Sequence, residues 1–233
     1  MNEEIKLVLA SNSPRRRQLF GLGGWDFTIL AADVDETPFA DESPREYVIR
    51  LAKAKALATQ AQACPEPRRR AESDAVIVGS DTTVVDGNQI LGKPVNDEDA
   101  RRMLKQLRGR VHQVFTGIAI LHHEKTMTDL CITDVPMRDY SDDEIERYIQ
   151  SGDPMDKAGA YAIQHPDFKP VAVLEGCYAS VMGLPMCHVL RVLSQFEIAP
   201  GGGVPAACQS LLKYDCRVSS AILSGEFASE MAL

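Results

Sequence analysis

An α/β fold on a mixed, twisted sheet with flanking helices follows from three observations in this 233-residue sequence. Short, continuously apolar runs at 5–10, 27–30 and 75–78 alternate with stretches whose apolar residues recur at helical spacing. That interleaving is expected where helices cover a sheet. Two longer β-like stretches, 112–122 and 130–140, follow one another closely enough to pair, adding an antiparallel part. The length and a hydrophobic fraction of 45% suit one good-sized domain with a real core.

Taken in order, 5–10 is a buried strand. Pro14 suits the first position of a helix, where its missing N–H costs nothing. That helix is expected to run through Arg15 to Leu22, with Gly21, Gly23 and Gly24 ending it. A second strand at 27–30 leads into the acidic loop Asp33-Val34-Asp35-Glu36. Ser43, with Glu46 three residues later, is a capping-box pattern. It opens a helix over 44–58 with Val48, Leu51, Ala52 and Ala56 on one face.

Residues 62–74 are a proline- and charge-rich break whose triplet Arg68–Arg70 reads as a solvated loop. The strand 75–78 is expected to end at Gly79-Ser80-Asp81-Thr82-Thr83, with a hairpin turning at Asp86-Gly87 beyond it. Asn96 starts a helix through Leu107, closed by Gly109, and Ser141 caps another that runs to Gly152. Segment 156–185 mixes glycine, proline and short β-like runs, and 184–196 reads as the final amphipathic helix. After Ala199 the chain turns glycine-rich and low in charge. Residues 1–199 are therefore taken as one domain and 200–233 as an appendage.

The net charge of −8 argues against a nucleic-acid partner. Six scattered cysteines show no C-x-x-C and no histidine at metal-ligand spacing. With no basic, apolar leader and no run long enough to cross a bilayer, reduced thiols in a cytoplasmic, non-membrane protein are expected.

In α/β sheets ligands bind beyond strand ends, and three polar signals fall there. The first is Ser11–Arg17. Its hydroxyls, backbone N–H groups and guanidinium forks are what a polyphosphate needs, and equally what a capped surface helix with solvated arginines displays. The second is Asp81, placed to emerge at the sheet rim as a metal ligand or a base acting on water, or as the cap of a tight turn. The third is Glu36. Lys93 is fixed between Gly92 and Pro94. Lys53 and Lys55 are two apart on a helix, so one at most faces a site. Small residues around Asp156 and Lys157 allow close backbone approach to a ligand. The Gln164 carboxamide there matches the carbonyl and N–H edge of uracil or thymine. His122 and His123, adjacent on a strand, should face opposite ways and so not form a metal pair.

Eight segments, in order, resemble the Maf family of nucleoside triphosphate pyrophosphatases between about Lys6 and Ser194. They are Ala10-Ser-Asn-Ser-Pro-Arg-Arg16, Val34-Asp-Glu36, Arg50-Leu-Ala-Lys-Ala-Lys-Ala56, Val78-Gly-Ser-Asp-Thr82, Ile90-Leu-Gly-Lys-Pro94, Thr116-Gly117, Asp156-Lys-Ala-Gly-Ala-Tyr161 and Val181-Met-Gly-Leu-Pro185. The resemblance implies a fold similar to that of inosine-triphosphate pyrophosphatases, with a nucleotide cleft across the sheet. It implies hydrolysis between the α- and β-phosphates with a divalent cation (Mg²⁺, Mn²⁺ or Co²⁺), and a homodimer.

By the same resemblance Asp81 is catalytic and Asp81 with Glu36 holds the metal. Ser11, Ser13, Arg15, Arg16, Lys55, Thr82, Lys93 and Gln164 bind substrate. Arg15, Thr82 and Gln164 follow the dTTP/UTP branch, where the 7-methyl-GTP branch has tryptophan, glutamine and glutamate. The chain departs from that branch at His165-Pro-Asp-Phe-Lys-Pro170, where a glycine-rich turn is usual, and at Ser80. Two other readings are a nucleotidyltransferase and a nucleotide-sensing regulator of septum formation, a process to which the family is linked.

Overall fold

The computed structural model describes residues 6–64 and 74–226; the Arg68–Arg70 triplet lies outside them. Strand β1 (Lys6–Leu9) pairs in parallel with β2 (Phe27–Ile29) on one side and with the start of β3 (Ala75–Asp86) on the other. Beyond β1, the hairpin strand β4 (Gln89–Leu91) lies antiparallel to the far end of β3. Strand β5 (Val111–His122) runs antiparallel to β3 from Val76↔His122 to Val85↔Gln113, and β6 (Lys125–Pro136) closes the order β2-β1-β3-β5-β6. The sheet is mixed, as expected.

The short strand expected at 75–78 is instead twelve residues long. Gly79 and Ser80 suggest a turn, but here they continue the strand because β5 pairs with it throughout. On the other edge, β1 ends opposite Val78 and β4 ends opposite Val84. Residues 79–83 thus have β5 on one side and no described strand on the other. That gap is the cleft.

The helix α1 (Pro14–Phe20) follows β1 with Ser13 as its N-cap, and α2 (Pro44–Ala63) opens with the Ser43–Glu46 capping box. Helix α2 lies against one face of the sheet, on Ile77, Ala119 and Leu121. Two glycines let it approach. A Cβ on Gly79 would sit 2.4 Å from the Ala52 carbonyl oxygen, and one on Gly117 2.7 Å from that of Val48. The opposite face, including Val76, Val78, Ile118 and Ile120, is covered by α1, α3 (Asp97–Leu107), α4 (Asp142–Gln150), α5 (Tyr178–Val181) and α6 (Met186–Ser194).

Several boundaries move, α2 among them, which runs past the expected 58 to Ala63. The strand expected at 130–140 is β6, starting at Lys125. Its polar opening belongs to an edge strand joined to β5 by a tight turn, where His123 adopts φ 54°. That turn also lifts His123 out of the strand alternation, so the His122 and His123 rings meet at 4.0 Å, with Asp74 nearby. Their opposed orientation is therefore not observed. Helix α6 is not the last: α7 (Val204–Leu212) and α8 (Ser219–Ser224) follow it. They bury Val204 and Ile222 against the body. The Trp25 indole donates to Ala199 O at 2.8 Å, and the Tyr214 hydroxyl to Gly176 O at 2.8 Å. No helix among the described residues is long and apolar enough to cross a membrane.

Candidate active site

The floor of the cleft is set by strand alternation. On β3, Ile77, Gly79 and Asp81 face α2, so the Asp81 carboxylate meets the side chain that α2 presents one turn beyond Leu51. That side chain is Lys55, whose Nζ lies 2.6 Å from Asp81 Oδ1 and 2.7 Å from Glu36 Oε1. Lys53, two residues away, is exposed. Asp81 is mid-strand rather than at the sheet rim, and it reaches the ligand space because the neighbouring edge is missing.

Glu36 is held from α2 as well. The Tyr47 hydroxyl donates to Glu36 O at 2.9 Å, and Arg50 donates to Thr37 O while pairing with Glu42 at 2.6 Å. Tyr47, Leu51 and Lys55 are successive turns of one helix face, so the acidic loop and the lysine share a support. Burial opposes a charge on Glu36, yet Lys55, with Lys93 and Arg16 farther off, holds its carboxyl below the ordinary range. Burial, helped by Asp81 and Glu36, pushes the Tyr47 phenol up to about 12, so it remains a neutral donor.

One wall is the loop after β1. The Ser11 hydroxyl accepts from the Ser13 N–H at 3.2 Å and is buried, so it braces the loop rather than lining the cleft. Ser13, Arg15 and Arg16 do line it, whereas Arg17 is exposed on the far side of α1. The Arg16 guanidinium donates to Gly183 O at 2.9 Å and Thr82 Oγ1 at 3.2 Å. Burial lowers its pKa, with Asp81 opposing. Thr82 is also 3.1 Å from Thr116 Oγ1, so its hydroxyl is engaged in setting the arginine fork. Gly183 adopts φ 108°, a backbone conformation that suits glycine, and a Cβ there would press on Arg16 Nε at 3.1 Å.

Lys93 and Gln164 also line the cleft, with Tyr161, Lys157 and Met182, around a cavity of about 410 Å³. Lys157 is buried and paired with Asp153 at 3.0 Å and Asp156 at 2.6 Å. The Tyr161 hydroxyl lies 2.8 Å from His112 Nε2. Every site residue expected from the sequence except Ser11 thus lines one cleft. Tyr47 and Lys157 were not among them. The i, i+4, i+8 spacing to Lys55 is the signal that reaches Tyr47; for Lys157 it is the Asp156-Lys157 pair itself.

Two carboxylates converging on one point, opposite a cationic wall, form a donor set of hard oxygens suited to Mg²⁺ or Mn²⁺. A profile of the family described as Maf-like protein matches residues 6–196. The chain belongs to the Maf family.

Its relatives include dTTP/UTP pyrophosphatases from several bacteria. That of Hahella chejuensis is 44% identical over 193 residues, covering 83% of this chain and 93% of that protein. Those of Vibrio parahaemolyticus and Dictyoglomus turgidum are 41% and 42% identical, covering 84% of this chain in each case and 100% and 97% of the relative. Among solved structures, the Staphylococcus aureus Ham1 protein overlaps 57% of this chain and 72% of its own at 18% identity and TM-score 0.40, too little to argue from. The Maf match stops at residue 196, before α7 and α8 begin.

Proposed function

We propose that this Maf-family protein hydrolyses dTTP and UTP to the nucleoside monophosphate and pyrophosphate. The observation that carries the reading is the convergence of Asp81 and Glu36 on Lys55, facing Ser13, Arg15, Arg16 and Lys93 across one cleft. Such a floor and wall suit in-line displacement at a phosphorus atom, where positioning and charge stabilisation supply most of the rate.

Water attacks the α-phosphorus, the bond from that phosphorus to the α,β-bridging oxygen breaks, and the water proton passes to Asp81 Oδ1 or Oδ2. Lys55, Arg15, Arg16 and Lys93 neutralise the charge left on the departing pyrophosphate. A divalent cation held by Asp81 and Glu36 would supply Lewis-acid polarisation of phosphate oxygens. Lys55 then stays beside both carboxylates as their counter-charge. Gln164 reads the pyrimidine edge, with Arg15 in the same cleft helping to choose the base and Thr82 acting through Arg16. Residues 1–199 carry the reaction and 200–233 is an appendage to it. The reading includes a homodimer, checked by light scattering, and a cytoplasmic setting in which the thiols stay reduced.

The test is pyrophosphate release from a nucleoside triphosphate panel with Mg²⁺, Mn²⁺ and Co²⁺ and no acceptor substrate. Turnover of dTTP and UTP above all others is expected. Preference for 7-methyl-GTP, or release only when an acceptor is added, overturns the reading.

A further inference from the structure

Away from the cleft, a second set of reactive groups gathers where β6 meets α6 and the C-terminal helices. Cys131, on β6, has its Sγ 3.8 Å from Thr133 Oγ1 and shares a cavity wall with the Cys177 thiol and with His188 of α6. His188 Nδ1 lies 3.1 Å from Asp129 Oδ2, which is also paired with Arg191. A thiol, an imidazole and a carboxylate in this order form a nucleophile, its base and the group that orients the base. Cys131, Cys177 and His188 together line a cavity of about 190 Å³, walled by Ile132 and Thr133 of β6, Arg45 of α2, and Val218 and Ile222 at α8.

The mechanism proposed above uses none of these groups. A buried ion pair needs no thiol, and a packing thiol needs neither a base nor a cavity. We propose that Cys131 is a reactive thiolate and Cys177 its resolving partner, together a site for a hydroperoxide entering this cavity.

The charge pattern supports the assignment. The neighbouring Cys177 thiol and then His188 hold the Cys131 thiol well below its ordinary range against burial. Cys177 moves the opposite way, raised by the neighbouring Cys131 and by burial. Burial opposes protonation of His188, but Asp129 and Cys131 together raise it to about 9. The ionisable groups facing Cys131 are Asp129 from its own strand, His188, Cys187 and Arg191 from α6, Arg45 from α2, and Cys177, with Cys216 behind it.

The chemistry balances. The Cys131 thiolate attacks one peroxide oxygen, the O–O bond breaks, and the His188 proton leaves with the other oxygen as water or alcohol, giving Cys131 sulfenic acid. The Cys177 thiol then attacks that sulfur, an S–S bond forms, and the sulfenic oxygen departs as water. The two thiols lose two electrons and the peroxide gains them.

The test treats the full-length reduced protein with a small excess of hydrogen peroxide and maps disulfides by mass spectrometry without reduction. The first disulfide is expected between Cys131 and Cys177. In Cys177→Ala, dimedone should instead trap a sulfenic acid on Cys131. Burial, with a smaller push from neighbouring cysteines, raises Cys187 to about 12 and Cys208 to about 11, so these two serve as internal controls for access. At pH 7, Cys131 should react with iodoacetamide at least about tenfold faster than either. Its rate should change little between pH 6 and 9, where an ordinary thiol gains roughly a hundredfold. His188→Gln should restore the steep profile. A first disulfide elsewhere, such as Cys177 with Cys216, or a Cys131 no faster than Cys187 and Cys208, overturns the proposal; neither readout on the wild-type protein depends on a variant folding.

Discussion

Asp81 carries the proton transfer, so Asp81→Asn should lower kcat by about 10²–10⁴-fold, read as pyrophosphate release, while circular dichroism stays native. Near-wild-type turnover would remove the aspartate from the mechanism. Arg16→Lys tests the wall: lysine keeps the charge but loses the fork that grips Gly183 O and Thr82 Oγ1. The expected result is a KM raised by about tenfold with a smaller change in kcat, since the remaining cations share the polyphosphate. At this scale the sequence was informative wherever chemistry is local. Helix geometry admitted one at most of Lys53 and Lys55 to a site, the family resemblance named Lys55, and Ser13–Arg16 stood out at the capped helix start. Ser11 was not separable from Ser13 in the sequence, because which hydroxyl turns inward depends on the loop path. Tyr47 was hidden for a related reason: its role is a bond to a backbone oxygen eleven residues away.

Among elements, α2 and β3 act as one piece. Gly79→Ala would place a Cβ 2.4 Å from Ala52 O and 2.9 Å from Ala56 Cβ, so α2 must move off the sheet. A loss of about 1–3 kcal/mol in urea unfolding is expected, together with reduced kcat because Lys55 moves with the helix. An alanine that kept both would show that the close approach is not what holds Lys55 over Asp81. The capping boxes at Ser43 and Ser141 were legible because caps are written in four residues. The continuity of β3 was not. Gly79-Ser80 has the composition of a turn, and only the partner strand β5, thirty-odd residues later, makes it a strand interior. The same dependence on distant partners concealed the start of β6 and the packing of α7 and α8.

For the whole molecule, His112 sets an acid flank to stability. It is buried with its Nδ1 lacking a partner among the described residues, and burial lowers its pKa from 6.5 to about 4. Below pH 6.5 the unfolded chain takes up a proton that the folded one refuses. Stability present above pH 6.5 is therefore lost down to pH 4, by about 3 kcal/mol in all. Urea midpoints at pH 7, 5.5 and 4.5 measure this, and His112→Gln should flatten the acid limb by about one proton's worth. An unchanged limb would assign the loss to other groups. The mixed sheet and its flanking helices were readable from periodicity alone; the missing edge beside residues 79–83 was not, because it depends on where two other strands stop. That missing edge has a consequence for how the enzyme fails. Asp81 rides on the strand to which β1, β4 and β5 are all bonded, not on a loop that can melt by itself. Heat should therefore extinguish turnover and the tertiary signal together, leaving no population that is folded yet inert.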